Sequence, residues 1–232
     1  MTYVMSDLHG EYEKYLQMLE KIKFSEQDTL FILGDVCDRG EHPIEILFDM
    51  MNRPNVYPIM GNHDWIALYL LEKLTTEITE ESISHLSFEE MQDMLAWIDD
   101  GGNTTVAGFQ KLSHEDQENV LDYLKEFSLW ECIDVGEKTF ILIHAGLGNF
   151  RKNKKLTQYT PEELLLTRQS PNVRYFDDDT IYIITGHTPT YFLSGKSEIY
   201  QNCNNICIDC GACFEGGRLA CLCLDTMEEF YI

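Results

Sequence analysis

The chain has 232 residues, 44% of them hydrophobic, which is enough apolar material to bury the core of one large domain. Its formal net charge of −23 argues against a nucleic acid or an anionic membrane surface as a partner. No apolar run approaches the roughly 20 residues of a membrane span. A first strand with candidate ligands at residues 3 to 9 leaves no room for a secretory signal. We therefore expect a soluble, cytoplasmic protein.

Five apolar runs of strand length each lead directly into residues that can bind a metal ion. The runs at residues 3–5, 30–33, 56–60, 139–143 and 181–185 precede, in order, the motifs Asp7-Leu8-His9-Gly10, Gly34-Asp35-Val36-Cys37-Asp38-Arg39-Gly40, Gly61-Asn62-His63-Asp64, His144-Ala145-Gly146 and Gly186-His187-Thr188-Pro189. A glycine-rich loop after a buried strand holds polar groups rigidly at the carboxyl edge of a sheet. Four of the seven histidines lie at these strand ends, which indicates one shared site rather than separate surface residues.

Helical patterns fill the intervals between these strands. Apolar residues recur at helical spacing in three early segments, residues 12–22, 43–51 and 65–74. Residues 75–138 are instead rich in Glu, Thr and Ser, with helical patterns at residues 88–98 and 115–127. We interpret residues 75–138 as a helical insertion that packs over the site and shapes the substrate groove. The alternative is a plain helical layer on the sheet.

Eight cysteines raise the question of a zinc site or a disulfide framework. Cys203, Cys207, Cys210 and Cys213 have a spacing that only loosely resembles a zinc site, because two C-x-x-C pairs separated by a loop are lacking. The last two cysteines alternate with apolar residues within a predicted strand. We therefore interpret the cysteines as reduced core thiols, as expected in the cytosol.

The ordered set of strand-end motifs resembles the calcineurin-like metallophosphoesterases. Within them it is similar to the phosphoprotein phosphatase branch, in its short bacterial and phage form. The motifs extend from Asp7 to His187, so the resemblance covers nearly the whole chain. Order, spacing and strand context agree, which makes the resemblance specific.

Three further strands are predicted at residues 206–209, 218–224 and 227–231, antiparallel and forming a second sheet. With helices outside, the expected fold class is α/β, a four-layer α/β/β/α sandwich of two mixed sheets flanked by helices. We expect a single domain over residues 1–232 that includes the helical insertion.

The predicted metal ligands are six side chains at the strand ends: Asp7, His9, Asp35, Asn62, His144 and His187. Asp7 and His9 can bind one ion from a single loop, because alternate residues of an extended strand end project in similar directions. Asp35 can bridge to a second ion that the other three ligands complete, and the resemblance implies the same assignments. This mixed ligand set suits Mn²⁺, Fe or Zn²⁺ better than Mg²⁺, and we expect two divalent ions with Mn²⁺ as first choice. Their bridging hydroxide would attack phosphorus in line.

The remaining predicted site residues act on the substrate. His63 is the candidate general acid for the leaving alkoxide, and Asp38 would orient its imidazole and raise its pKa. Arg39 can grip the phosphoryl group with two parallel hydrogen bonds. The resemblance implies a second phosphate-binding arginine, for which Arg168 fits best and Arg174 is the alternative. The Trp found near this arginine in many relatives is absent here.

Two features favour a phosphoric monoester as the substrate. Metallophosphodiesterases carry a second histidine in the last motif, and here Gly186-His187-Thr188-Pro189 lacks it. The Asp38-Arg39 pair is likewise typical of the phosphatase branch. We therefore predict a serine/threonine protein phosphatase that acts on a phosphoprotein or phosphopeptide. The oligomeric state is left open.

Two alternatives remain. Dinucleoside polyphosphate hydrolases, which cleave substrates such as diadenosine tetraphosphate, share nearly all of these motifs. A basic pocket and aromatic side chains that stack on a base would favour this alternative, and Tyr159 and Phe109 are the candidates for stacking. A non-catalytic protein-binding scaffold is the remote alternative, which the complete ligand set and the presence of His63 disfavour.

Overall fold

Two five-stranded sheets pack face to face in a computed structural model that describes residues 1–74 and 87–232. The first sheet consists of β1 (Thr2–Met5), β2 (Thr29–Leu33), β3 (Val56–Ile59), β9 (Ala220–Cys223) and β10 (Glu229–Tyr231), in the order β10-β9-β1-β2-β3. The second consists of β4 (Trp130–Val135), β5 (Lys138–Ile143), β6 (Ile181–Thr185), β7 (Tyr200–Asn202) and β8 (Asn205–Cys207), in the order β4-β5-β6-β8-β7. Strands β1, β2 and β3 run parallel, as do β5, β6 and β8.

The helices connect these strands. They are α1 (Tyr12–Lys21), α2 (Pro43–Met51), α3 (Asn62–Leu74), α4 (Phe88–Trp97), α5 (Asn103–Phe109), α6 (His114–Lys125), α7 (Pro161–Leu165) and α8 (Tyr191–Ser194), with a π-helical turn, Ile98–Gly102, between α4 and α5. Pro43 opens α2, where its missing N–H is not needed. Ser87 and Glu90 form a reciprocal capping box at the start of α4. Within residues 1–74 and 87–232, no helix is both long and apolar enough to cross a membrane.

Side chains along each strand point alternately to the two faces of the sheet, and this alternation produces the layers of the sandwich. Val4 and Phe140 lie in the apolar cluster between the two sheets. Their neighbours point the other way: Met5 joins the cluster beneath the helices of the first sheet, and Ile141 packs with Leu164 of α7. Since successive side chains of a strand face opposite sides, each sheet has one face for its partner and one for helices. The predicted α/β/β/α sandwich of two mixed sheets is confirmed.

The prediction for the three last strands was wrong in two respects. Strand β8 does lie in the second sheet, but it runs parallel to β6, with Ile206 beside Ile184. Strands β9 and β10 extend the first sheet instead, where Cys221 of β9 pairs antiparallel with Met5 of β1. An unpaired edge of β1 would leave backbone N–H and C=O groups without partners, and β9 satisfies them. The alternating pattern predicts a strand but not the edge that it joins.

The segment at residues 75–138 has a mixed structure. Residues 75–86 lie outside the described residues. Helices α4, α5 and α6 occupy the middle of the segment, but β4 begins at Trp130 and pairs antiparallel with β5 along its whole length. The end of the predicted helical insertion is therefore an edge strand of the second sheet.

All eight cysteines lie within the described residues, and all are free thiols. Five of them are buried: Cys37, Cys207, Cys210, Cys221 and Cys223. Cys132 and Cys203 are exposed, and Cys213 is half-buried. The interpretation as core thiols therefore holds for five of the eight.

A buried carboxylate holds the loop that follows β2. Asp64, in the first turn of α3, is fully buried. One of its oxygens accepts hydrogen bonds from the backbone N–H groups of Val36 and Cys37, both at 3.0 Å. The other accepts from Asp35 at 2.7 Å and Gly61 at 3.0 Å. Asp64 therefore satisfies four backbone donors that have no partner in a strand or helix. Its bond to the Asp35 N–H also fixes the backbone position of Asp35.

We expect Asp64→Ala to lower the free energy of unfolding by about 3 kcal/mol, because it leaves several buried N–H donors without an acceptor. Asp64→Asn should cost less, since the amide keeps one acceptor oxygen. Chemical denaturation monitored by circular dichroism measures the change. Asp122→Ala, at an exposed position of α6, is the matched control and should change stability by under roughly 0.5 kcal/mol. Similar losses in both alanine variants would contradict the role of Asp64.

Candidate active site

The strand-end loops converge around the carboxylate of Asp35. Among the described residues, two groups of three potential ligand atoms each lie within 4.8 Å of one another. One group comes from His9, Asp35 and His63, and the other from Asp35, His144 and His187. Asp35 belongs to both groups, which is the arrangement that a bridging ligand between two cations requires.

Backbone carbonyls orient two of the imidazoles toward Asp35. The Nδ1 atoms of His9 and His144 donate to the carbonyl oxygens of Cys37, at 2.9 Å, and Leu33, at 2.7 Å. A carbonyl oxygen only accepts, so the ring proton lies on Nδ1 and Nε2 carries the lone pair. The two Nε2 atoms lie 3.6 and 3.5 Å from the same oxygen of Asp35. A hydrogen bond of this kind typically fixes the tautomer of a metal-binding histidine.

The protonation states also fit metal binding. Burial lowers the pKa of His9 and the pKa of His187 to about 3, so both imidazoles are neutral at pH 7. Burial opposes ionisation of Asp35, but His144, His63 and His9 outweigh it and hold the pKa of Asp35 below its usual range. Neutral imidazoles and an ionised carboxylate are the forms that coordinate cations.

Asn62 faces His144 in a way that a shared cation would satisfy. The Oδ1 atom of Asn62 lies 2.9 Å from the Nε2 atom of His144. Because the His144 proton is used on Leu33, two lone pairs point at each other. Adjacent ligands of one ion, with bonds of roughly 2.1 Å, lie about 3 Å apart.

Asp7 lies at the same edge but outside both groups of three. Its two carboxylate oxygens are each 3.1 Å from the backbone N–H of His187, which donates to them. Burial, with the charges of Asp209 and Asp35, raises the pKa of Asp7 well above its ordinary value. Divalent cations would offset this accumulation of buried negative charge, so the donor set fits the expected metal ions.

The backbone at these positions is in a sparsely populated conformation. Six of the eleven described non-glycine residues with positive φ are predicted site residues: Asp7 (52°), His9 (41°), Asp35 (54°), Asp38 (74°), Arg39 (68°) and His187 (64°). Such conformations cost free energy and concentrate at functional sites. Two motif glycines allow the loops to approach closely, because a Cβ atom would lie 2.2 Å from Asp35 Oδ1 at Gly61 and 2.1 Å from Asp7 Oδ2 at Gly186.

His63 and Asp38 form a buried pair beside the first ligand group. The Nδ1 atom of His63 donates to Asp38 at 2.7 Å, and Asp38 is fully buried. Burial opposes protonation of His63, but the hydrogen bond to Asp38 and the charge of Asp35 outweigh it, and the pKa of His63 is raised. His63 also lies close enough to His9 and Asp35 to count as a potential ligand, which the prediction of a pure acid did not include.

Sequence reasoning missed two side chains that hold this pair. Asp38 accepts hydrogen bonds from Trp97 Nε1, at 2.7 Å, and Thr105 Oγ1, at 2.6 Å. Both donors come from the segment predicted as an insertion. Nothing in the local pattern distinguishes Trp97 from an ordinary core residue of α4.

A further missed residue is Asp209, which follows β8 just as the other acids follow their strands. It is buried, and one of its oxygens accepts from the Gly211 N–H at 2.8 Å. Burial and the charge of Asp35 raise the pKa of Asp209 to about 6. The signal was present in the sequence, as one more carboxylate at a strand end.

The predicted arginines differ in position. The guanidinium group of Arg39 lies 2.9 Å from the Nε2 atom of His9 and 3.0 Å from the Nε2 atom of His63. Arg168 donates to Thr188 at 3.1 Å, and its charge contributes to the lowered pKa of His187. Arg39 thus borders the first ligand group and Arg168 the second.

The alternative arginine and the predicted base-stacking residues lie elsewhere. Arg174 pairs with Asp179 and donates to carbonyl groups of its own loop. Tyr159 and Phe109 are only 8% and 1% exposed, so their ring faces are not open to a base.

Comparison with known proteins agrees with this geometry. The calcineurin-like phosphoesterase family model matches residues 2–212. The symmetrical bis(5'-nucleosyl)-tetraphosphatase of Haemophilus ducreyi is 40% identical over 75 residues, which cover 32% of this chain and 27% of that protein. Matches to the first few such relatives span 27% to 37% of their length.

Solved structures share the fold over nearly the whole chain. A "putative diadenosine tetraphosphatase" superposes with a TM-score of 0.67 at 16% identity, covering 100% of this chain and 92% of the other. A serine/threonine phosphatase from Saccharomyces cerevisiae gives a TM-score of 0.60 at 15% identity, covering 95% and 71%. With a family match over residues 2–212 and a clustered set of ligands, the chain belongs to the calcineurin-like phosphoesterase family.

Proposed function

We propose that this protein hydrolyses dinucleoside polyphosphates such as diadenosine tetraphosphate at a site for two divalent cations. The observation that carries the hydrolase part is the carboxylate of Asp35, shared between two groups of ligand atoms. The choice of substrate is supported by the curated relatives, which are named symmetrical bis(5'-nucleosyl)-tetraphosphatases. The motifs alone favoured a protein phosphatase, with the dinucleoside polyphosphate hydrolase as the alternative. The proposal here puts the hydrolase first.

The metal ligands are proposed as two overlapping sets. Asp7, His9 and Asp35 would hold one cation. The second would be held by the remaining ligands together with the shared carboxylate: Asp35, Asn62, His144 and His187. When bound, divalent cations supply Lewis-acid polarisation of phosphoryl oxygens and lower the pKa of water. Mn²⁺ is the proposed resident ion because imidazole, amide and carboxylate ligands are all compatible with it.

The two arginines would bind the phosphate chain. Arg39 and Arg168 border different ligand groups, so their guanidinium groups can contact a polyphosphate from both sides of Asp35. Guanidinium groups bind phosphate oxygens with paired, charge-assisted hydrogen bonds. This local positive charge also opposes the repulsion of an anionic substrate by a chain with net charge −23.

His63 would deliver a proton to the leaving group. Its hydrogen bond to Asp38 leaves Nε2 facing the ligand groups, and the raised pKa keeps a larger fraction of the imidazole protonated. A nucleotide leaves as a phosphate anion and needs little help, whereas the alkoxide of serine needs a proton. The buried His63–Asp38 pair is therefore the observation that favours the second candidate, a serine/threonine protein phosphatase.

Turnover of the two substrates side by side separates these functions. With Mn²⁺ bound, we expect kcat/KM for diadenosine tetraphosphate to exceed that for phosphoserine peptides by at least about tenfold, a difference of roughly 1.4 kcal/mol in transition-state binding. Chromatography should show ADP as the only nucleotide product of symmetrical cleavage. A preference for phosphopeptides would establish the second candidate. No turnover of either by the metal-loaded protein would indicate a non-catalytic scaffold.

We expect Asp35→Asn to lose both cations, because an amide has no anionic oxygen to share between them. Metal content after dialysis, measured by mass spectrometry, should fall from two ions per chain toward zero. Asp122→Asn on α6 serves as the control and should retain both. Loss of one ion alone would refute the bridging role.

We expect His63→Asn to slow substrates with poor leaving groups most. Phosphoserine turnover should fall by about 10²- to 10⁴-fold, the usual contribution of a general acid. The loss should be much smaller for p-nitrophenyl phosphate, whose leaving group needs no proton. Equal losses on both substrates would argue against proton donation. Metal content is measured in parallel, since a lost cation would identify His63 as a ligand instead.

A further inference from the structure

A cavity of about 600 Å³ is lined in part by Phe214, whose ring lies near Arg39 of the proposed site. Two segments line it, residues 189–198 and residues 210–218, which follow His187 and Asp209 directly along the chain. We call it the aromatic cavity, because Tyr191, Phe192 and Phe214 lie in its lining. Its volume is in the range of sites that hold one small organic ligand.

The aromatic side chains in this lining are unusually open. Tyr191, Phe192 and Phe214 are 59%, 77% and 49% exposed. Exposed ring faces are costly in water and are typical of positions where a flat ligand stacks. Stacking on bases tolerates any sequence because every base has a π-face.

Phe214 connects the aromatic cavity to the phosphate-binding side chain Arg39. The guanidinium carbon of Arg39 lies 5.6 Å from the centroid of the Phe214 ring. A ligand whose phosphate contacts Arg39 can therefore place an attached ring system against Phe214. This continuity points to a ligand with a phosphate at one end and a flat, apolar group at the other.

The charges in the aromatic cavity are balanced. Lys196 and Arg218 line it together with Glu198 and Glu215. Arg218 is held in place, donating to the Ser197 carbonyl at 2.9 Å and lying 3.6 Å from Glu198. Equal numbers of cations and carboxylates do not form a second phosphate site. They suit an uncharged group with several donors and acceptors, such as a base and the hydroxyls of a ribose.

We propose that the aromatic cavity binds the nucleoside of a nucleoside polyphosphate whose phosphate chain lies at the metal centre. This inference rests on the proposed hydrolysis of dinucleoside polyphosphates. The base stacks on the exposed rings, and the ribose hydroxyls donate to the carboxylates of Glu198 or Glu215. The cavity thereby selects nucleotides over short inorganic phosphates.

Phe192→Ala and Phe214→Ala test this assignment. We expect each to raise KM for diadenosine tetraphosphate about tenfold, the order that base stacking contributes. The loss of kcat/KM should be at least about fivefold larger for this substrate than for p-nitrophenyl phosphate, which has no nucleoside. Phe88→Ala is the matched control, since Phe88 is 73% exposed and lies outside the cavity lining.

A binding measurement keeps this test separate from that of the proposed function. Calorimetry of ADP with the Mn²⁺-loaded protein should show weaker binding by both cavity variants than by wild type and Phe88→Ala. If wild type does not cleave diadenosine tetraphosphate but the variants weaken ADP binding, the hydrolase proposal fails and the cavity assignment stands. Unchanged KM and unchanged ADP binding in both variants overturn the assignment. So does a selective loss of phosphopeptide turnover, which would place a peptide side chain in the cavity.

Discussion

The site depends on the carboxylate of Asp35, which has a backbone N–H as hydrogen-bond donor on one oxygen and two imidazoles near the other. Asp35 accepts a hydrogen bond from the His63 N–H at 3.0 Å with one oxygen. Its other oxygen lies 3.6 Å from His9 and 3.5 Å from His144. Asp64 secures the loop that carries Asp35, so the position of the shared ligand is set by buried hydrogen bonds rather than by the side chain alone. Removing any of these supports would move the point at which both ligand groups meet.

Charge balance is the second constraint on this site. Buried carboxylates gather in a protein whose net charge is already −23, and the pKa values of Asp7 and Asp209 are raised by burial and by neighbouring acids. The proposed cations at the centre, with the guanidinium groups of Arg39 and Arg168 at its borders, would reverse the local sign of the charge. The proposed anionic substrate could then approach a protein whose net charge would otherwise repel it.

Residues 97–105, from the end of α4 into α5, contact the proposed catalytic pair as well as the core. Trp97 and Thr105 both donate to Asp38, and the Arg39 N–H donates to the Gly101 carbonyl at 3.0 Å. These contacts fix the carboxylate that orients His63. A shift of α4 or α5 would therefore move the partner of His63, the proposed proton donor, without contacting a proposed metal ligand.

Local patterns in the sequence were sufficient for the fold class and for the candidate ligands, because each ligand follows an apolar strand within a few residues. Parallel strands then bring those ends together at one edge, so the meeting of Asp35 with His9, His144 and His187 follows from short motifs. The tertiary structure alone decided which sheet β9 and β10 join and which side chains hold Asp38. It also decided that Phe214 lies open beside Arg39, whereas Tyr159 is buried. These features depend on burial and on strand pairing between segments far apart in the chain. A local pattern of residues does not predict which distant segments will pair or pack together.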